Sequence, residues 1–88
     1  MKFSLGKTVA TPGALNALEE IQENPMTLLS RHANGDWGNM DDDDKELNND
    51  ALIHGGRIFS SYIVNDVKFW VITEADRSST CVLLPEEY

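Results

Sequence analysis

The chain has 88 residues, with 7 Lys and Arg against 15 Asp and Glu, for a net charge of −8. That length suits one domain and excludes a multidomain enzyme or a doubly wound nucleotide fold; the acidic balance argues against direct nucleic-acid binding, which normally uses a basic face. At 41% hydrophobic the composition is globular, and a compact chain of this size has an expected radius of gyration of roughly 12 Å.

In chain order, residues 2–9 alternate weakly and predict a short strand. Thr11 followed by Pro12 reads as an N-cap and first helical position, and Ala14, Leu15, Leu18 and Ile21 recur at helical spacing with Glu19, Glu20 and Glu23 opposite. This predicts a helix over about 12–23. Asn24-Pro25 repeats the signal and predicts a second helix over about 25–33, burying Met26, Leu28 and Leu29 and ending at Asn34-Gly35. Asp36-Trp37-Gly38 makes a loop. Asp41 to Ile53 predicts a third helix, capped by Asp41, with Asp42, Asp43 and Asp44 at its positive end and Leu47, Ala51 and Leu52 as its apolar stripe. Gly55 and Gly56 stop it.

Beyond residue 56 the period changes to two. Arg57–Val64 and Val67–Glu74 predict strands joined by a tight hairpin at Asn65-Asp66. That loop length sets Tyr62 opposite Phe69, Ser60 opposite Val71, Phe59 opposite Ile72, Ser61 opposite Trp70 and Ile63 opposite Lys68. Thr80–Leu84 predicts a third strand stopped by Pro85. The expected fold class is therefore α+β: a single domain over 1–88, with three short N-terminal helices packed on a C-terminal three- or four-stranded antiparallel β-meander. One sheet face holds Ile58, Tyr62, Val64, Phe69, Val71, Val82 and Leu84 for the helices to cover. The other shows Phe59, Ile63, Trp70, Ile72 and Leu83, which the helices wrap in part or leave for a partner.

Chemistry-bearing residues are few. Cys81 is the single cysteine, so no internal disulfide or cysteine metal pattern is expected and a reducing cytoplasm is the natural setting. No signal peptide or membrane-length apolar run is visible. Seven acids and one base, Lys45, lie between His32 and His54; the Asp41–Asp44 run reads as a solvated helix start, since it lacks the alternation of a calcium loop. His32 and His54 each sit near a helix end, where capping is the expected role. The candidate partner-binding residues are Asp36 and Trp37 in the glycine-flanked loop and Glu74, Asp76, Arg77 and Ser78 between the last two strands. Trp37 could anchor a partner or plug the small core, and the size of the domain favours the plug. The second cluster could clamp an anion, or could be a loop stapled by Asp76–Arg77 or Glu74–Arg77. Catalytic residues are left unassigned, and no metal site or cofactor is expected.

Four stretches in order, Thr11-Pro12-Gly13-Ala14-Leu15, Gly35-Asp36-Trp37-Gly38, Trp70 through Ser78 and Leu83 through Tyr88, resemble a family of small uncharacterised bacterial proteins. Its members are often labelled plasmid-related protein or, misleadingly, type I restriction endonuclease subunit M. The resemblance implies a bacterial cytoplasmic origin and no particular chemistry. A DNA methyltransferase needs a large cofactor domain and an Asn/Asp-Pro-Pro-aromatic loop, which Asn24-Pro25-Met26-Thr27 is not. The family often has Asp-Gly at the hairpin where this chain has Asn65-Asp66-Val67.

The expected function is a non-enzymatic protein-binding or regulatory accessory module with a protein partner, no membrane, and a monomeric or weakly dimeric state. One alternative is an acidic DNA-mimic decoy for a nuclease or restriction enzyme; its carboxylates should then be spread like phosphates. The other is a small hydrolase or RNA-cleaving enzyme using His32, Asp36, Glu74 and Arg77.

Overall fold

Three side-chain caps start the three helices of the computed structural model, which describes all 88 residues. The Ala14 N–H donates to Thr11 ahead of α1 (Pro12–Glu20). The Met26 N–H donates to Asn24 ahead of α2 (Pro25–Ala33). The Asp44 N–H donates to Asp41 ahead of α3 (Asp42–His54). Each cap satisfies an otherwise orphaned N–H of the first turn. Helix α1 stops before the expected residue 23. Pro25 forces Asn24 into an extended conformation, and the chain reverses through Gln22 at φ 56° to reach it.

The strands are β1 (Lys7–Ala10), β2 (Ile58–Val64), β3 (Val67–Thr73) and β4 (Ser79–Leu83), in the order β1-β4-β3-β2. The β2–β3 hairpin has the expected register, with Tyr62 beside Phe69 and Ser61 beside Trp70. Its turn holds Asn65 at φ 48° and Asp66 at φ 65°, the two positive values of a type I′ turn, whose twist matches the strands. Glycine takes such a φ without steric cost. Asp66→Gly is therefore expected to stabilise the fold by about 0.5 kcal/mol, seen as a higher urea midpoint at unchanged slope.

The sheet is mixed, which corrects the expectation of a purely antiparallel one. β1 runs parallel to β4, from Lys7 beside Ser79 to Ala10 beside Val82. Side-chain periodicity encodes which face a residue takes, not the direction of an edge strand whose partner arrives at the far end of the chain. The three helices and the β2–β3 hairpin intervene before β4 returns alongside β1.

The helix-side face carries the main core: Ala14, Leu18, Leu28 and Leu29 against Tyr62, Phe69, Val71 and Val82. A second cluster joins Trp37, Ala51 and Ile58, with Phe3, Met40 and Leu52 packed against it. Three residues expected on apolar helix faces are outside. Leu15 of α1 is 48% exposed. Met26 is exposed near the start of α2, and Leu47 is 65% exposed while its neighbour Asn48 is buried. On the opposite sheet face Ile72 and Leu83 are buried. A 3₁₀ turn over Pro85–Glu87 follows β4, and the Tyr88 ring beyond it meets Trp70 edge-on at 5.7 Å. The Glu87 carboxylate ties this turn to the start of α1, accepting from the Thr11 hydroxyl and the Gly13 N–H. The radius of gyration is 12.2 Å, and no helix is long and apolar enough to cross a membrane.

Candidate functional site

An edge strand offers a row of backbone donors and acceptors to any passing chain. At β2 that row is largely taken. The Asn48 amide exchanges two hydrogen bonds with the Phe59 backbone, 2.7 Å to its carbonyl and 3.0 Å from its N–H. The next outward residue, Ser61, donates to the Trp37 carbonyl and accepts from the Asn39 N–H. Ile63 then donates to the Asn39 Oδ1. This close approach depends on Gly38 at φ 73°, where a Cβ would collide with the Ser61 carbonyl and the Tyr62 ring.

With its backbone sealed, this side of the sheet keeps its side chains available. A groove of about 490 Å³ runs over the second sheet face, between the start of α3 and the β2–β3 hairpin. Its floor is Phe59 and Trp70, edge-to-face at 4.8 Å. Met40 and the exposed Leu47 form an apolar wall, and Arg57, Lys68 and Asp44 carry charge at the rim. Arg57 is held by the Tyr88 hydroxyl at 3.0 Å and by Glu74 at 3.4 Å. The Asp44 carboxyl titrates above its ordinary range because the negative charge of Asp41 disfavours its ionised form. An aromatic floor with an apolar wall and cations at the rim suits apolar side chains flanked by acidic ones.

The residues singled out from sequence lie elsewhere. Trp37 is 5% exposed; its ring lies among Phe3 and His32, and its Nε1 donates to Asn49. It plugs the second core cluster and presents no ring face to a partner. Asp36 organises its own loop, accepting from Arg31 Nε at 2.6 Å and from the Gly38 N–H. The Arg31 bond holds its carboxyl below the usual range.

The β3–β4 loop is stapled, but not by the expected ion pairs. Glu74 bonds Arg57, and Asp76 accepts from the Ser78 N–H. Arg77 instead donates to four backbone carbonyls: Gly56, Glu74, Ala75 and Ala51. Its guanidinium also lies 5.7 Å from the Phe3 ring centre.

His32 does not cap α2 through its side chain, as expected from sequence; it is fully buried. Its Nδ1 meets Ser60 Oγ at 2.5 Å and its Nε2 meets Thr73 Oγ1 at 2.9 Å. Thr73 meets Thr80 at 2.7 Å, and Thr80 donates to the Leu5 carbonyl. A carbonyl only accepts, so each direction along this chain follows from the last. Thr80 gives its proton to Leu5, Thr73 gives to Thr80, His32 Nε2–H gives to Thr73, and Ser60 gives to His32 Nδ1. The imidazole is neutral, and burial lowers its pKa to about 4. Each group named for a hydrolytic reading is thus committed: His32 inside the core, Asp36 to Arg31, Glu74 to Arg57 and Arg77 to carbonyls. Cys81 is half-buried in β4, with its thiol pushed up by burial, the reverse of an activated nucleophile.

Sequence reasoning named Phe59 and Trp70 as part of an uncovered face but missed the groove's rim, because Asn39, Asp44, Leu47 and Lys68 come from three separate segments. Comparison with known protein families, with curated proteins and with solved structures returns no match. Geometry therefore carries the functional argument.

Proposed function

We propose that this chain is a non-enzymatic accessory module that binds a protein partner through the Phe59–Trp70 groove. The observation that carries the reading is an open aromatic groove whose rim supplies two of the chain's seven basic residues, Arg57 and Lys68. Cations held beside exposed aromatic surface, on a chain of net charge −8, favour a partner that presents an apolar anchor next to carboxylates. The sealed β2 edge supports recognition by side chains there, since no backbone ladder is left to extend. The DNA-decoy reading has less support. Asp41–Asp44 form one short run at a helix start, with the Asp41 carboxylate engaged in accepting from the Asp44 N–H, whereas a phosphate mimic needs an extended row.

Leu47 and Lys68 are exposed and make none of the structural hydrogen bonds described above, so Leu47→Asp with Lys68→Glu leaves the fold intact. The tagged wild-type chain is expected to retain a specific protein from a bacterial lysate at moderate salt, and the double variant is expected to lose it. Retention of the same protein in the same yield by both would overturn the reading.

A further inference from the structure

The two edges of the sheet are unequal. Every outward backbone group described above on β2 is occupied, whereas β1 is open. The Lys7 N–H bonds the Ser78 carbonyl and the Thr11 N–H bonds the Val82 carbonyl. Residues in phase with these face β4, so Thr8 and Ala10 turn their N–H and C=O groups outward. Beside this edge, on the helix side of the sheet, lies an apolar groove of about 230 Å³ walled by Leu15, Pro25, Met26, Leu29 and Val82. Two of the eight large exposed apolar side chains, Leu15 and Met26, gather there, and a third, Val9, is exposed at mid-strand on the other face, in register with Cys81.

We propose that β1 is the interface of a symmetric homodimer, in which two copies pair β1 antiparallel to β1 and continue one sheet across both. The spacing is self-complementary. With Val9 on the two-fold axis, Thr8 of each copy lies opposite Ala10 of the other, and the two pairs exchange four backbone hydrogen bonds. All the outward groups of both strands are then used. The axis stands perpendicular to the sheet, so both sets of helices lie on one side and Leu15 and Met26 of each copy flank the joined strands.

Charge selects a second copy over an unrelated strand. In this register Lys7 lies opposite Thr11 of the other copy, whose hydroxyl is hydrogen-bonded to the Glu87 carboxylate. Each Lys7 thus meets a Glu87, twice across the axis. The Asp41–Asp44 run sits on α3, which packs on β2 at the far edge of the sheet, so its repulsion is kept away from the joint. A short edge strand bearing a lysine is also how proteins blunt an edge against open-ended growth. Here α1 begins directly after β1 and limits pairing to one partner, which closes the assembly at two.

Sedimentation equilibrium of the full chain, from micromolar to millimolar concentration, tests this. The wild type is expected to approach twice its 9.8 kDa. Thr8→Pro removes an outward N–H that the β1–β4 ladder does not use. It should keep the far-ultraviolet circular dichroism of the wild type and weaken dimerisation at least about tenfold. Val9→Lys, which sets two ammonium groups face to face on the axis, should do the same without a backbone change. A wild type that stays monomeric at millimolar concentration overturns the proposal, as does a dimer that survives folded Val9→Lys. Capture of an unrelated protein by a monomeric wild type and its loss in the variants would assign the edge to a foreign strand and equally overturn it.

Discussion

Arg77→Ala is expected to lower stability by about 3 kcal/mol, because a charged donor that satisfies several carbonyls contributes roughly 1.5–3 kcal/mol per well-made bond and leaves desolvated acceptors when removed. The Gly56 carbonyl at 2.6 Å and the Ala51 carbonyl at 3.0 Å matter most, since they belong to the end of α3 and the segment after it. Through them the β3–β4 loop fixes where α3 ends, and hence where α3 stands over β2. Arg77 also sits at φ 61°, a left-handed conformation that glycine adopts more easily than alanine. Arg77→Gly should accordingly be milder than Arg77→Ala by about 1 kcal/mol. The difference between the two variants isolates the backbone, and the loss they share reports the guanidinium. Arg77→Lys should recover less than half of that shared loss, since one ammonium cannot reproduce the planar fork. Urea unfolding of the three variants measures all of this. A loss in Arg77→Ala wholly abolished in Arg77→Gly would show that the carbonyl bonds contribute nothing.

The same residue shows where the sequence is legible and where it is not. Its neighbours suggested a local ion pair, because Glu74 and Asp76 are adjacent in the chain. Its actual partners are carbonyls, which carry no sequence signature. The hairpin was readable in full, since a two-residue turn and a period of two leave one register. The caps at Thr11, Asn24 and Asp41 were readable because each answers a local need of the backbone. Helix α3 was misread on one face. It is so polar that its apolar stripe is faint, and the value of burying Asn48 lies in two backbone groups of β2. The groove was half legible: alternation exposed its floor at Phe59 and Trp70, while its rim is a product of tertiary assembly. The direction of β1 was not legible at all.

His32 had a signal that local reasoning passed over. Ser60, Thr73 and Thr80 all fall on the core face of their strands, and buried hydroxyls require partners. A neutral imidazole, with one donor and one acceptor, can join two of them. Its burial makes stability depend on pH in a defined window. The pKa falls from 6.5 to about 4 on folding, so between these values the unfolded chain binds more protons than the folded one. Stability is then fully present above pH 6.5 and declines as pH drops, by about 1.4 kcal/mol per unit. From pH 7.5 to pH 5 the expected loss is about 2 kcal/mol, a substantial share of the roughly 4–13 kcal/mol usual for a chain of this length. The carboxylates held low by their partners, Asp36, Asp76 and Glu87, have ordinary values of 3.8 or 4.5 and act mainly below pH 5. His32→Gln keeps a donor and an acceptor in the chain of hydroxyls but does not titrate. The variant should be less stable at neutral pH and show a flat profile between pH 6.5 and pH 5. Urea unfolding of both proteins across that range decides the matter: a slope unchanged by the substitution would place the titrating proton on another group.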